Sequence, residues 1–231
     1  GSFSSKYSSI VASLSVVALV LVGVFATLLV SKILSETVLK GVPSSFALEL
    51  PPYRKPQIGR ILVRSLLDRT IFVLGRAILV AAPAGAVTWL VANIYIGDMS
   101  VLNHVAGFLD PFGQLLGLDG FILMAFILGL PANEIVLPIL IMSYMSQGAM
   151  LEFDTLDALR GLLLKNGWNI VTGINFMLFS LFHFPCATTL LTIKKETNST
   201  KWTVFTFVIT TLSAIIATFL VNMFAKLVGI V

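Results

Sequence analysis

The chain has 231 residues, of which 57% are hydrophobic and 11% are charged, and its formal net charge is +4. Soluble globular domains carry about 25% charged residues, so this composition excludes that class and indicates an integral membrane protein whose first partner is the lipid bilayer. The positive charge is typical of cytoplasmic loops of membrane proteins, and we expect no nucleic-acid partner. The one cysteine, Cys186, excludes an intrachain disulfide.

Five apolar stretches, each long enough to cross a bilayer as a helix, follow one another along the chain. They predict an all-α fold, a polytopic transmembrane helix bundle of about five segments. Two of these segments are broken by proline, at Pro131 and at Pro185. The stretches cover residues 10–34, 71–94, 120–146, 168–193 and 202–228.

These stretches divide the chain into three parts. We expect a first transmembrane helix in residues 1–34, a polar connection in 35–70, and the remaining transmembrane domain in 71–231. The connection contains LELPPYRKP, whose prolines force extended backbone, and then an interfacial helix over 58–70. A second short amphipathic helix is predicted within 154–167.

The distribution of lysine and arginine predicts the orientation. Residues 32–70 carry seven of them, and residues 95–119 carry none, so the first segment is expected in the cytoplasm and the second outside. The same rule does not decide the path of residues 120–146. A re-entrant hairpin and a single broken span leave the same excess of basic residues on the cytoplasmic side.

The third apolar stretch is interrupted by the sequence GLPANEIVLP. Gly129 and Pro131 disfavour a continuous helix, and Pro131 suits the first residue of a new one. Asn133 and Glu134 are then expected in the first turn of a half-helix, where free N–H groups and the positive dipole end favour a carboxylate. An acid at membrane depth is costly and usually marks an ion or substrate pathway.

The fourth stretch repeats this arrangement in the sequence HFPCATTLL. Pro185 suits the start of a helix, which places Cys186 in a first turn that favours the metal-binding thiolate. His183, three residues earlier, is a second candidate ligand, and the two threonines that follow are expected to bond to their own helix backbone. Structural roles stay open for all of these residues, with the cysteine as packing and the prolines as kinks.

Four motifs together resemble the C-terminal membrane half of the ferrous iron transport protein B family. They are LELPPYR at 48–54, LDPFGQLLGLDG at 109–120, GLPANEIVLPI at 129–139 and HFPCATTLLTIKKET at 183–197. The resemblance implies a multi-pass importer of Fe²⁺ in the bacterial inner membrane. It also implies an N-terminal cytoplasmic GTP-binding domain and two gate segments of the type named for nucleoside recognition. Cys186 resembles the cysteine of the second gate, which is a proposed metal ligand in this family.

The chain departs from this family in one respect. It contains no G-x-x-x-x-G-K-[ST] phosphate loop, so we expect a fragment without the GTPase domain and without the first gate. Such a fragment is not an enzyme and needs no cofactor, because GTP and Mg²⁺ would bind only in the missing domain. Its expected partners are that domain, the first gate and further copies of the same chain.

The leading hypothesis is therefore the permease part of an Fe²⁺ importer. The candidates for the Fe²⁺ path are Cys186, Glu134, His183 and Asn133. One alternative is a carrier of nucleosides or organic ions, in which the asparagine and glutamate bind the cargo and the cysteine is incidental. Another is a scaffold that forms the oligomer without conducting, through helix faces of small residues.

Overall fold

The computed structural model describes residues 5–38, 59, 63–64, 67, 70–145, 156–183 and 185–229. The LELPPYRKP motif and most of the predicted interfacial helix lie outside the described residues. The contacts divide the chain into two units, residues 1–69 and residues 70–231, and each unit is described by itself.

The first unit contains one long helix, α1 (Ser5–Thr37). Its residues 10–37 are apolar and long enough to cross a membrane. Hydroxyl groups along the helix are satisfied internally, because Ser15 and Thr27 donate to the carbonyl oxygens of Val11 and Gly23 at 2.8 Å. Such back-bonding suits a helix whose surroundings offer no water.

Within its described residues, the second unit is helical apart from one short hairpin and the connecting turns. Its elements are α2 (Phe72–Asn93), β1 (Tyr95–Ile96), β2 (Met99–Ser100), α3 (Val101–Leu115), α4 (Gly120–Leu128), a 3₁₀ helix (Asn133–Ile135), α5 (Val136–Met145), α6 (Leu156–Lys165), α7 (Ile170–Phe182), α8 (Ala187–Thr197) and α9 (Thr200–Val228). Residues 95–119, expected as a connection, thus contain a hairpin and a helix. The prediction of an all-α membrane bundle is confirmed.

Helices α4 and α5 form a hairpin that returns to the end where it begins. Asp119 caps the N-terminus of α4, and Tyr144 is the penultimate residue of α5. The Tyr144 hydroxyl nevertheless donates to Asp119 Oδ2, and its ring packs edge-on against Phe121 with centroids 5.6 Å apart. Of the two paths that the sequence left open for residues 120–146, the structure has the re-entrant hairpin.

The other long segments are a broken span and a straight one. Helices α7 and α8 together cover residues 170–197, and α9 covers 200–228; both are long and apolar enough to cross a membrane. By length and composition the described residues contain three such segments, or four if the bent pair α3 and α4 counts as one. The break after α7 has 13 helical residues before it and 11 after it, which places it near the middle of a bilayer.

Side chains of two other helices bind the turn between α3 and α4. The two helices meet at 110° within the LDPFGQLLGLDG motif. Asn175 of α7 donates to the Leu116 carbonyl at 2.9 Å, and Asn222 of α9 donates to the carbonyls of Leu115 and Gln114 at 2.9 and 3.1 Å. Carbonyl groups that leave a helix near lipid need partners from the protein, and here the neighbouring helices supply them.

Close packing at this turn gives a prediction about two glycines of α3. A Cβ atom on Gly113 would lie 2.7 Å from the backbone carbon of Asp119, whereas one on Gly107 would meet nothing within 4 Å. Gly113→Ala should therefore lower stability by about 1–3 kcal/mol through overpacking, while Gly107→Ala should leave it unchanged or raise it by up to roughly 1 kcal/mol. Thermal unfolding in detergent compares the two variants. Equal melting temperatures would contradict the packing of this turn.

Candidate functional site at the junction of two broken helices

The first break lies at the tip of the re-entrant hairpin. Leu130 and Pro131 form a turn, Ala132 is extended, and a 3₁₀ helix over Asn133–Ile135 leads into α5. Helix α4 has nine residues, so the tip lies about 14 Å from the base of the hairpin, near the middle of a bilayer.

The helix after this break begins later than the sequence analysis expected. Pro131 was expected to open it, with Asn133 and Glu134 in its first turn, but α5 begins at Val136. The reason is Pro138, which has no N–H group to donate to the carbonyl of Glu134, as an α-helix through that residue would require. Asn133 and Glu134 therefore lie in the 3₁₀ turn, and both side chains are exposed.

Gly129 brings the two arms of the hairpin together at the tip. A Cβ atom at this position would overlap with Cγ2 of Val136. Gly129 also ends α4, where its N–H donates to the carbonyl of Ala125 at 2.8 Å. A side chain here would separate the arms. The backbone φ of −77° is open to any residue, so the close approach of the arms is what favours glycine.

The second break covers residues 183–186, between α7 and α8. Cys186 is the N-cap of α8, one residue before the first turn in which it was expected, and its backbone is extended with φ −58° and ψ 158°. Pro185, expected to begin the helix, precedes that cap. The half-helix itself is present as expected, and its positive end faces the break.

One backbone hydrogen bond joins the two breaks. The N–H group of Ala187, the first residue of α8, donates to the carbonyl oxygen of Leu130 at 2.9 Å. Each partner is a group that its own helix leaves unsatisfied, one at a helix N-terminus and the other in a turn. Cys186 and Pro131 are the chain neighbours of these two residues, so the junction brings the two predicted break sites into contact.

The thiol of Cys186 lies within a small cluster of polar side chains. Its sulfur is 3.0 Å from the hydroxyl of Thr188 and 3.2 Å from the hydroxyl of Thr189, and the residue is half-buried. The threonines were expected to bond to their helix backbone, but the turn at the helix start directs both hydroxyls to the sulfur. Sulfur and oxygen donors are thus presented together at one helix end.

His183 occupies different surroundings. Its ring is buried and lies 5.0 Å from the ring of Phe126 in α4, and 6.2 Å from that of Phe179, measured between centroids. Its Nδ1 atom is 3.0 Å from the Ser180 carbonyl oxygen, so a metal ion would have to bind through Nε2. These contacts give His183 a packing role between α7 and the first arm of the hairpin.

The candidate ligands are not assembled into a closed metal site. Within the described residues, no group of three or more His, Cys, Asp or Glu side chains is placed to hold a metal ion. The donors that the structure brings together are the sulfur of Cys186 and the hydroxyls of Thr188 and Thr189. Asn133 and Glu134 lie on the neighbouring tip, beyond the junction formed by Leu130 and Ala187.

Comparison with known proteins identifies relatives that are named as iron transporters. The family model described as "Ferrous iron transport protein B C terminus" matches residues 16–68. The Fe(2+) transporter FeoB of Staphylococcus aureus strain MSSA476 is 30% identical over 217 residues, which is 90% of this chain and 31% of the relative. The Fe(2+) transporter FeoB of Leptospira interrogans strain Fiocruz L1-130 is 27% identical over 234 residues, covering 91% of this chain and 33% of the relative.

Over nine tenths of its length, the chain is similar to proteins of the ferrous iron transport protein B family. It corresponds to the C-terminal region, and it spans about a third of the length of the curated relatives that it matches. No solved structure matches the chain.

Sequence reasoning missed five polar residues that shape this region of the fold. Asn175 and Asn222 hold the α3–α4 turn, and the Trp168 indole donates to the Tyr144 hydroxyl at 2.8 Å, which in turn donates to Asp119. The sequence does show that each of these residues is a polar side chain in or beside an apolar stretch. Such a side chain is costly without a hydrogen-bond partner, which marks it as a residue of interest. The sequence does not identify which partner each one has.

The hydrogen bond between the breaks is tested by Ala187→Pro. Proline is accepted as the first residue of a helix, and the extended backbone of Cys186 suits the residue before a proline, so α8 should persist without the N–H donor. The loss leaves the Leu130 carbonyl unpaired, which should cost about 1–3 kcal/mol and expose the neighbouring thiol. Cys186 is the only cysteine in the chain, so maleimide labelling reports on this site alone.

The matched control is Ala187→Ser, which keeps the N–H group. We expect faster labelling and a lower melting temperature for the proline variant than for the serine variant. Equal labelling rates in the two variants would show that this hydrogen bond does not hold the junction together.

Proposed function

We propose that the chain forms the C-terminal part of an Fe²⁺ permease in the bacterial inner membrane, and that the junction of the two breaks lies on the ion path. The observation that carries the proposal is the hydrogen bond from Ala187 to Leu130. It joins the tip of a re-entrant hairpin to the middle of a broken span. Paired helix breaks at membrane depth are how many transporters form their binding sites.

The donors at the junction suit a ferrous ion in transit. Fe²⁺ accepts thiolate, oxygen and imidazole ligands, and the type and geometry of the ligands set selectivity. The Cys186 sulfur with two neighbouring hydroxyls is an incomplete set, which leaves positions for water or for a carboxylate. A conducted ion must be held weakly enough to leave, so an incomplete set fits conduction better than a closed cage.

Glu134 is the second residue that we assign to the path. Its exposed carboxylate lies on the hairpin tip, in a 3₁₀ turn at mid-membrane depth. A carboxylate there lowers the cost of bringing a divalent cation into the bilayer, and Asn133 beside it adds an amide oxygen. His183 is the weaker candidate, because its buried ring packs against two phenylalanines that also contact each other.

We further propose that the hairpin enters the membrane from outside the cell. The base of the hairpin, the start of α7 and the end of α9 lie at one end of the second unit, with Lys226. Lys194 and Lys195 lie at the other end of the broken span. Residues 35–70 then lie in the cytoplasm. The GTP-binding domain and its Mg²⁺ would lie on the same side, in the parts of the relatives that this chain does not cover. A full path would also include a first gate and further copies of the chain.

The direct test is Fe²⁺ uptake into anaerobic proteoliposomes by the full-length protein. Cys186→Ser and Glu134→Gln should each lower uptake about tenfold or more at matched protein levels, since even residues behind the ligands of a metal site matter roughly 10–100-fold. Glu196→Gln is the matched control, because this exposed carboxylate lies at the far end of α8 and should not contact the ion.

Each outcome separates the candidate roles. Loss of uptake in both variants but not in the control supports a path through the junction. Normal uptake in both variants would overturn the permease assignment for this region and would favour a scaffold that forms the oligomer. Inhibition by nucleosides, without competition from Mn²⁺ or Co²⁺, would instead favour an organic carrier.

A further inference from the structure

A polar cavity of about 260 Å³ lies at the end of the second unit that is opposite Lys194 and Lys195. It is distinct from the junction of the breaks and goes beyond the proposed transport function. Its walls come from the α3–α4 turn, the segment before α7, the start of α7 and the end of α9. The polar residues that matter for its chemistry are Gln114, Asp119, Asn169, Asn222 and Lys226.

The acceptors of this cavity lie on its inner wall. The side chain of Asn222 is only 3% exposed, and its Nδ2 atom donates to two backbone carbonyls, which fixes the direction of the amide. Its Oδ1 atom therefore lies beside Gly117, another wall residue, as an acceptor. Asp119 adds a carboxylate, whose oxygens accept from Ile122 N–H and from Tyr144 and retain further lone pairs.

Donors line the rest of the cavity. Lys226 contributes an ammonium group from the exposed last turn of α9. Asn169 uses its Oδ1 atom to cap α7 by accepting from Thr172 N–H at 2.8 Å, which leaves its Nδ2 group as a donor. The cavity thus combines acceptors with one negative charge and donors with one positive charge. This arrangement complements a ligand that carries both an ammonium and a phosphate group.

An apolar groove of about 720 Å³ adjoins the cavity. Four leucines and Arg160 of α6 line it. It shares Trp168, Asn169 and Val171 with the polar cavity, so the two spaces have a common wall. Leu156 and Ile170 on this groove are 84% and 79% exposed. A polar cavity that continues into an apolar groove fits an amphiphile, with the headgroup in one space and an acyl chain in the other.

The position of the site in the fold agrees with this ligand. It lies where α7 begins and α9 ends, with an indole ring at its edge, and tryptophan is enriched at the level of lipid headgroups. Lipids are the amphiphiles that are present at this depth at the highest concentration.

We propose that this cavity and groove bind one phospholipid whose headgroup carries a primary ammonium. The phosphate pairs with Lys226 and Asn169, and the ammonium donates to Asn222 and Asp119. A quaternary ammonium has no N–H to donate, and a headgroup without an amine would leave the buried acceptor of Asn222 without a donor. The site therefore distinguishes phosphatidylethanolamine from phosphatidylcholine and phosphatidylglycerol with the same acyl chains.

The test measures the melting temperature of this 231-residue chain, purified in detergent, with each of the three lipids. At about tenfold excess over its dissociation constant, phosphatidylethanolamine should raise the melting temperature by roughly 3–6 °C more than the other two. Lys226→Gln should abolish this difference. Lys165→Gln, which removes another exposed lysine at the end of α6 without touching the cavity, should leave the difference intact.

Three results would overturn the proposal. Equal shifts with all three lipids would show that the headgroup is not recognised. A selective shift that persists in Lys226→Gln would place the site elsewhere. An equal shift with soluble phosphoethanolamine would show that the groove has no part in binding.

Leu164→Ser gives an independent check of the groove. This residue is exposed on the groove, so the variant should bind the lipid more weakly.

Discussion

The structure of the second unit depends on one constraint, that backbone groups released by a broken helix inside a bilayer must find partners in the protein. The chain is interrupted at the hairpin tip and between α7 and α8, and each interruption leaves a backbone group that its own helix does not satisfy. The hydrogen bond from Ala187 to Leu130 pairs these two groups with each other. Neither break is therefore independent, and the hairpin tip has to lie against the middle of the span between α7 and α8.

The same constraint acts at the base of the hairpin. The turn from α3 into α4 has three consecutive carbonyls that accept hydrogen bonds from Asn175 of α7 and Asn222 of α9. Tyr144 and Trp168 close the base through Asp119. The hairpin is held at its base and at its tip, where Glu134 of the hairpin and the Cys186 thiol of the second break lie on either side of one junction. Under the proposed function, this junction gives the ion path both a soft donor and a charged donor.

Much of this fold follows from the sequence, because apolar length and proline positions predict α1, α2, the broken span and the interrupted third stretch. The return of the hairpin does not, since the basic residues balance equally for both paths and the deciding contact joins Asp119 to Tyr144, 25 residues apart. The sequence indicated the break at Pro131 but not the late start of α5, which depends on Pro138. Candidate ligands were recognisable by residue type. The packing of His183 against Phe126 of another helix is a tertiary contact, and no local sequence pattern contains it.

The most direct test of the central claim, that the Cys186 sulfur at the junction contacts a divalent metal in transit, is a spectroscopic titration with Co²⁺ as a stand-in for Fe²⁺. The purified chain should develop thiolate-to-cobalt charge-transfer absorption in the near ultraviolet, because Cys186 is the only thiol present. Cys186→Ser should lose this band. Absence of the band from the folded wild-type chain at saturating Co²⁺, or its persistence in the serine variant, would contradict the assignment of this thiol to the metal path.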